Sequence, residues 1–292
     1  MPDTSPSPFL PDTAALTALR IWDLHFHLEP NIRRTLSQLM EELLPFIDRM
    51  GIERLCPFLH VGLGTSRSPA EFKPGYLKEV EELLRRWPDR LLGFVWLNAN
   101  KVTESLAALD RWVKDGPMVG VKFGGGPIGS LRCNHPNFDP LIARAAELKA
   151  PVYIHTWMKV GGDPPRPGGD NNPGESSPQD VVDLAARHPG MELICGHAGG
   201  DWEIGIRTVR RFPLITLETA GNDPTAGFVE MAVRELGASR IVFGGHLPTR
   251  GYGNEMGKTL AADIPPDAKK QILGGNLRRL LTPILKAKGI SL

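Results

Sequence analysis

The sequence predicts a single (β/α)8 barrel, that is, a TIM barrel of the α/β class, and three observations lead to this prediction. Short apolar runs that fit buried strands alternate with segments of helical periodicity, which indicates parallel strands joined by crossover helices. Eight such units follow one another, and about 250 residues is the usual length of a barrel of eight units. The 292 residues are 41% hydrophobic, enough for one large core. An open doubly wound sheet is the alternative, and only the closed barrel requires the first and eighth strands to be neighbours.

The eight candidate strands are short, apolar and bounded by glycine, proline or polar residues. They cover residues 21–27, 52–60, 91–98, 118–125, 151–155, 191–197, 214–220 and 240–246. Five of the intervening segments place apolar residues three and four apart, as helices do, over residues 35–50, 76–87, 105–115, 138–149 and 178–188. Asn137 and Ser177 stand where helix caps are expected.

The domain organisation follows from composition. Residues 1–15 are rich in proline and serine and are predicted to form a flexible N-terminal tail, and residues 16–292 one barrel domain without internal repeats or linkers. No signal peptide or membrane-spanning run is recognised. The three cysteines lack CxxC spacing and indicate neither a disulfide framework nor a cysteine metal site. We therefore expect a cytoplasmic protein that does not bind membranes.

The charge balance restricts the partners. The formal net charge is +1, and the basic residues are dispersed along the chain rather than clustered. Nucleic-acid binding needs a basic surface, so it is disfavoured, and a small-molecule substrate is expected instead. The number of subunits stays open, and a homo-oligomer is compatible with the sequence.

Five of the eight histidines fall at the carboxyl ends of predicted strands. His25 and His27 end the first strand, His155 the fifth, His197 the sixth and His246 the eighth. In a barrel these strand ends form one mouth, where active sites of this architecture lie. Histidines that are distant in sequence are therefore expected to converge there.

A divalent metal ion is the predicted partner of these imidazoles. The pair His25 and His27 lies in an HxH motif and, together with His155, could supply neutral nitrogen ligands to one ion. Zinc is favoured, with manganese as the alternative. The other three histidines are interpreted as hydrogen-bonded scaffold: His60, His135 and His188. An HxH motif also occurs in cupins, but these proteins are all-β and need a glutamate that this chain does not supply.

Successive motifs of the chain resemble the amidohydrolase-related family (amidohydrolase 2) of the metal-dependent hydrolase superfamily. The motifs are, in order, "DLHFH", "PVYIHT", "LICGHAGG", "RIVFGGHLP" and "ILGGNLRRLL". The resemblance extends from about Ile21 to about Leu281. It implies that the first-strand pair and His155 bind one metal ion, and that His197 acts near the metal-bound water or the substrate as a general acid/base or electrophilic group.

The eighth strand departs from the family pattern. The family commonly has an aspartate there, as metal ligand and proton acceptor, whereas this chain has His246 in "FGGHLP". Three outcomes are open: His246 binds the metal, it accepts the proton of the bound water, or the site has lost its usual chemistry. The first two are favoured because imidazole can perform either role.

Three further side chains are predicted to bind the substrate. Lys122 on the fourth strand is expected near the mouth, as a charge partner or, as in some superfamily members, as a carboxylated bridge between two metals. Trp157 begins a glycine- and proline-rich loop over 157–178 that is expected to cover the mouth. Arg250 follows the eighth strand, and a guanidinium at the rim indicates a carboxylate-bearing, anionic substrate.

These observations lead to three functional hypotheses. The first is a hydrolase in which a metal-activated water cleaves an amide, ester or lactone of a small carboxylate-bearing substrate. The second, implied by the resemblance, is a non-oxidative decarboxylase of the aminocarboxymuconate semialdehyde decarboxylase type. The third is a non-catalytic barrel that only binds ligands, which the missing aspartate would explain.

Overall fold

Eight parallel strands follow one another in sequence order around a single sheet. The computed structural model describes residues 12–29, 31–65, 69–125, 131–158, 174–221 and 225–292. The strands are β1 (Ile21–His27), β2 (Ile52–Leu59), β3 (Phe94–Leu97), β4 (Gly120–Phe123), β5 (Val152–Ile154), β6 (Leu193–Cys195), β7 (Ile215–Glu218) and β8 (Ile241–Val242). Each of the eight coincides with a predicted strand. Their buried side chains belong to one continuous apolar core.

Backbone hydrogen bonds between β1 and the segment that follows β8 close the sheet into a barrel. The three bonds are Leu24 N to Phe243 O (3.2 Å), His246 N to His25 O (2.7 Å) and His27 N to Leu247 O (2.9 Å). The first and eighth strands are therefore neighbours, as the (β/α)8 prediction requires. The open doubly wound sheet is excluded.

Helices follow the strands and cover the barrel. They are α1 (Thr13–Ala18), α2 (Leu36–Arg49), α3 (Tyr76–Arg86), α4 (Val102–Ala108), α5 (Phe138–Glu147), α6 (Pro178–Arg187), α7 (Trp202–Val209), α8 (Phe228–Leu236), α9 (Tyr252–Leu260), α10 (Pro266–Lys270) and α11 (Asn276–Ala287). All five predicted helices are present. Among the described residues, no helix is both long and apolar enough to cross a membrane.

The helix caps differ in how they match the prediction. Ser177 caps α6, since its side chain accepts from the backbone N–H of Asp180 and the Asp180 side chain accepts in return. Asn137 precedes α5 without capping it, and its side-chain amide donates to the carbonyl of Ala99 at 2.9 Å. The residue type was right at both positions, but at Asn137 a carbonyl of another segment competes for the side chain.

Two predicted segments lie partly outside the described residues. Within the predicted tail, α1 begins at Thr13 and is capped by the Asp12 side chain, whereas residues 1–11 lie outside the description. The loop expected over the mouth is described only at its two ends, because residues 159–173 are also outside it.

The side chain of Asp23 joins β1 to the segment that follows β8 through hydrogen bonds. Its carboxylate, which is fully buried, accepts hydrogen bonds from the backbone N–H groups of His25 (2.8 Å) and Gly245 (2.7 Å) and from the Tyr252 hydroxyl (2.7 Å). Burial raises the pKa of Asp23 to about 7, and the two backbone donors oppose that rise. The register of β1 shifts between Asp23 and Phe26, and the Asp23 carboxylate joins β1 to the segment that follows β8.

We expect Asp23→Ala to lower the free energy of unfolding by about 3 kcal/mol, because two buried N–H groups and one hydroxyl lose their acceptor. Urea denaturation of the purified variants measures the change. Asp23→Asn is the control: its side-chain oxygen still accepts both N–H bonds, so its loss should be clearly smaller. Equal losses in both variants would contradict this role for the carboxylate oxygens.

Candidate metal centre

The five strand-end histidines meet at the mouth of the barrel, as predicted. The ring of His25 is stacked on that of His246, with centroids 4.2 Å apart, and it is 4.9 Å from the rings of His27 and His197. His155 joins the cluster through His197, at 4.7 Å. Side chains from β1 and from the segments after β5, β6 and β8 thus form one continuous group of imidazoles.

Three of these histidines form the group best suited to hold a metal ion. His25, His197 and His246 each place one ring nitrogen within 4.8 Å of the others. The predicted ligand set was His25, His27, His155 and His246. The three-histidine group contains the predicted ligands His25 and His246 together with His197, for which an acid/base role was predicted.

The hydrogen bonds of His25 define which of its nitrogens is free. Its Nδ1 lies 3.0 Å from the Tyr153 hydroxyl, and that hydroxyl donates its proton to Glu218 Oε2 at 3.0 Å. The hydroxyl oxygen can then only accept from His25, so we infer that His25 carries its proton on Nδ1. The lone pair of Nε2 is left for the centre of the cluster.

In His197 and His246, as in His25, Nδ1 has a hydrogen-bond partner outside the cluster. His197 Nδ1 donates to the backbone carbonyl of Ala220 at 2.8 Å. His246 Nδ1 lies against the Thr249 hydroxyl, which is also 2.9 Å from the His246 carbonyl; when the hydroxyl donates to that carbonyl, its oxygen accepts from the ring. Metal-binding histidines usually donate their second ring N–H to such an acceptor. The three outer acceptors therefore fit a divalent ion held by three Nε2 atoms.

Unusual backbone conformations orient two of the ligand candidates. His197 and His246 both have left-handed φ values, 55° and 52°, which are uncommon for residues with a side chain. Glycines beside them are required by space: a Cβ at Gly196 would lie 2.2 Å from the Tyr153 hydroxyl, and one at Gly244 would lie 1.7 Å from Glu218. The "CGHAGG" and "FGGH" motifs thus form tight turns that direct imidazoles into the mouth.

The ligand candidates are in the neutral form that metals bind. Burial lowers the pKa of His25 and His197 well below its ordinary value, and the neighbouring imidazoles lower it further. Burial also lowers the pKa of His246, to about 3, with a smaller contribution from His27. At neutral pH none of the three imidazoles has to lose a proton before it binds a cation.

His27 lies beside the three-histidine group and faces an acid. Its Nε2 is 2.9 Å from Nε2 of His25, and its Nδ1 is 3.2 Å from one carboxylate oxygen of Glu29. The other oxygen of Glu29 is 3.4 Å from Nε2 of His60, which is buried. His60, interpreted from the sequence as scaffold, thus belongs to the wall of the mouth, and Glu29 links it to His27.

His155 is engaged by a residue that the sequence did not point out. Its Nε2 lies 3.1 Å from the carboxylate of Glu175, which is 7% exposed. Glu175 comes from a loop that pairs with the strand extension at Thr156 and Ser176. No sequence pattern indicates Glu175, because a loop that folds back carries no periodic signal.

Lys122 lies inside the barrel, close to the histidine cluster, as the sequence predicted. It is in register with Trp96 on one neighbouring strand and Tyr153 on the other. Its Nζ is 3.9 Å from the centroid of the Tyr153 ring and 4.3 Å from that of Phe58. Burial lowers the pKa of Lys122 well below its ordinary value, and the charge of Glu218 opposes this shift. The amine is therefore held against aromatic rings inside the barrel and is 1% exposed.

The other two predicted substrate residues are placed at the rim. The half-buried Trp157 meets the ring of His197 edge to face, at 5.4 Å. Arg250, whose side chain is 31% exposed, lies 3.9 Å from the buried carboxylate of Glu255. The indole therefore borders the cluster directly, whereas the guanidinium lies near the carboxylate of Glu255.

Eight parallel strands closed into a barrel, with buried imidazoles gathered at their carboxyl ends, define a (β/α)8 protein with a metal-type site at its catalytic face. A family model described as amidohydrolase matches residues 22–282, and the chain therefore belongs to the amidohydrolase family. This result confirms the resemblance found in the motifs. A search of curated proteins gives no match.

Solved structures share the fold. A 2,6-dihydroxybenzoate decarboxylase from Rhizobium is 20% identical, with 90% of this chain and 98% of that chain covered and a TM-score of 0.66. A dihydroxybenzoic acid decarboxylase from Polaromonas, with bound manganese and the inhibitor 2-nitroresorcinol, is 18% identical (91% and 96% covered, TM-score 0.65). A 4-oxalomesaconate hydratase from Rhodopseudomonas palustris is 16% identical (92% and 98% covered, TM-score 0.65). At these identities the similarity shows the fold.

We expect single alanine substitutions of His25, His197 and His246 to weaken binding of zinc or manganese by at least about tenfold, because each removes one of three ligands. Metal analysis after dialysis and calorimetric titration measure the loss. His188→Ala is the control, since His188 bonds to Asp139 on the surface. Unchanged affinity in all three variants would contradict the three-histidine site.

We also expect metal affinity to change by less than about tenfold between pH 7.5 and pH 5.5. Three histidines of ordinary pKa, about 6.5, would lose about a thousandfold over that range because protons compete for each ring. Here burial lowers the three pKa values, that of His246 to about 3, so protonation sets in only at lower pH. Competition titration with a chromophoric chelator provides the measurement. A fall with a midpoint near pH 6.5 would contradict the neutral cluster.

Proposed function

We propose that the chain is a metal-dependent hydrolase that cleaves an ester, lactone or amide bond of a small carboxylate-bearing substrate. The observation that carries this proposal is the shared orientation of His25, His197 and His246, each of which has an outer hydrogen-bond partner at Nδ1, so that Nε2 can bind a metal ion. Three neutral nitrogen ligands with an open fourth position are typical of catalytic zinc sites. When bound, a divalent ion, zinc or manganese, supplies Lewis acidity that polarises a carbonyl group and acidifies water.

His27 is the side chain best placed to move a proton. Its Nε2 is beside the ligand candidate His25, and Glu29 faces its Nδ1 at 3.2 Å. The carboxylate stabilises the positive charge that His27 acquires when it accepts a proton at Nε2. Because the Glu29 side chain is 49% exposed, it also connects this histidine to solvent. This proposal differs from the sequence-based hypothesis in two roles, because it assigns metal binding to His197 and proton transfer to His27.

An anionic substrate is supported by the charges around the cluster. The three ligand candidates are neutral, so they leave the charge of a divalent cation uncompensated. Glu218 is fully buried, and burial raises its pKa to about 7, so it is only partly ionised at neutral pH. The other nearby carboxylates face histidines outside the three ligand candidates, Glu175 at His155 and Glu29 at His27. Lys122 adds a buried amine on one side. A carboxylate group on the substrate compensates this positive potential.

A non-oxidative decarboxylase is the second candidate. It is supported by the decarboxylases among the proteins of similar fold, one of which binds manganese. In that reaction His27 would deliver the proton that replaces the carboxylate on carbon. Release of carbon dioxide, rather than consumption of water, separates the two reactions.

We expect a screen of esters, lactones, amides and aromatic carboxylates with added zinc or manganese to reveal turnover that depends on the metal. His27→Ala should lower kcat by about 100-fold or more while the metal content stays unchanged, because it removes a general acid/base but no ligand. Glu29→Gln should lower kcat less, since the imidazole remains.

Two outcomes of this screen would contradict the proposal. If His27→Ala removes the metal, His27 is a ligand and not the proton carrier. If small acids bind tightly without turnover under every metal condition, the third hypothesis, a barrel that only binds ligands, replaces the hydrolase.

A further inference from the structure

A buried ion pair lies behind the cluster and has no part in the chemistry described above. Glu255 and Lys258 are one turn apart on α9, with side chains 0% and 2% exposed, and Lys258 Nζ is 2.7 Å from Glu255 Oε2. Removing two charges from water is costly, and apolar residues in such places often stabilise a fold as well or better. Stability alone is therefore a weak explanation for this pair.

The pair holds the three residues that follow β7. Lys258 Nζ donates to the carbonyl of Thr219 at 3.2 Å and to that of Gly221, and Glu255 Oε2 accepts from the N–H of Gly221 at 3.2 Å. The cation thus binds carbonyl oxygens on either side of Ala220, and the anion binds the amide that follows. Both charges are satisfied by backbone groups of one short segment.

That segment is the outer partner of His197. The carbonyl of Ala220 accepts the Nδ1 proton of His197 at 2.8 Å. Gly221 has a left-handed φ of 77°, and a Cβ there would lie 3.0 Å from the same Nδ1. The nearest carboxylate, Glu218 Oε2, is 4.0 Å from Nδ1, beyond hydrogen-bond distance. The position of the Ala220 carbonyl therefore decides which nitrogen of His197 carries the proton.

We propose that Glu255 and Lys258 are positioning residues for His197. They form a clamp that binds backbone groups of Thr219 and Gly221, on either side of Ala220. The clamp keeps the Ala220 carbonyl on Nδ1 of His197 and leaves Nε2 for the metal ion. The inference rests on the proposed use of His197 as a ligand. Its physical basis is the rigidity of a peptide segment whose carbonyls and N–H are bound by buried charges that water does not reach. Without the clamp the carbonyl can turn away, and the imidazole can exchange its proton between the two nitrogens.

The test follows the His197 tautomer in the full-length chain by long-range ¹H–¹⁵N correlation spectroscopy, after metal removal. His197→Gln identifies the resonances of His197. In the unaltered chain we expect one His197 species, protonated on Nδ1. In Lys258→Met and in Glu255→Gln we expect signals of, or averaging with, the Nε2-protonated form. Glu255→Gln keeps an oxygen for the Gly221 N–H, so it remains informative if Lys258→Met does not fold.

Lys288→Met is the matched control. Lys288 also donates to a backbone carbonyl, that of Gly116 at 2.7 Å, but this carbonyl precedes β4, away from the strand carboxyl ends. It should leave the His197 signals unchanged. In the clamp variants the dissociation constant for Zn²⁺ should rise about 10- to 100-fold, as for other outer partners of metal ligands.

The outcomes are distinguishable. A lower melting temperature with an unchanged His197 tautomer in Lys258→Met and Glu255→Gln would overturn the proposal and leave the pair a merely structural one. A chain that binds no metal and shows no turnover would refute the proposed function, but the tautomer measurement would still decide the role of the clamp, since it requires neither metal nor substrate.

Discussion

The closure of the sheet between β1 and the end of β8 is the constraint on which the site depends. It brings His25 and His246, more than 200 residues apart in sequence, into ring contact at 4.2 Å. The backbone bond from His246 N to His25 O fixes the two ligand candidates directly to one another. Asp23 then bonds to the amides of both segments. The residues that complete the barrel are therefore also the residues that build the candidate metal centre.

Closure brings several largely buried imidazoles close together, and this burial disfavours their protonated forms. Protonated rings would repel one another and Lys122, and burial removes the water that would stabilise their charge. The rings can be buried together because they stay neutral and because Nδ1 of each of the three ligand candidates has a hydrogen-bond partner around the cluster. Those acceptors are chemically diverse: a tyrosine hydroxyl, a backbone carbonyl and a threonine hydroxyl. Their only common feature is that they lie on the outer side of the imidazole rings, away from the centre of the cluster.

Because these partners are so diverse, the sequence predicts the fold and the histidine cluster but not which histidines would bind a metal ion. Strand positions, barrel closure and the convergence of the histidines follow from periodicity and chain order, and the structure confirms them. The choice among the histidines does not follow, because it depends on partners without a sequence signal. A backbone carbonyl at Ala220 exists whatever the residue, and Glu175 reaches His155 only because its loop folds back. The β8 prediction also extended to residue 246, whereas the paired strand ends at Val242 and is followed by an irregular segment in which His246 has a φ of 52°.

The histidine in place of the usual aspartate has a consequence for the whole site. A carboxylate at this position would compensate part of a bound cation's charge, whereas neutral His246 does not. Water bound there would be acidified more strongly, and an anion would be attracted more strongly, than beside a carboxylate ligand. In the proposed function proton movement is therefore assigned to His27, which lies beside His25 and faces Glu29.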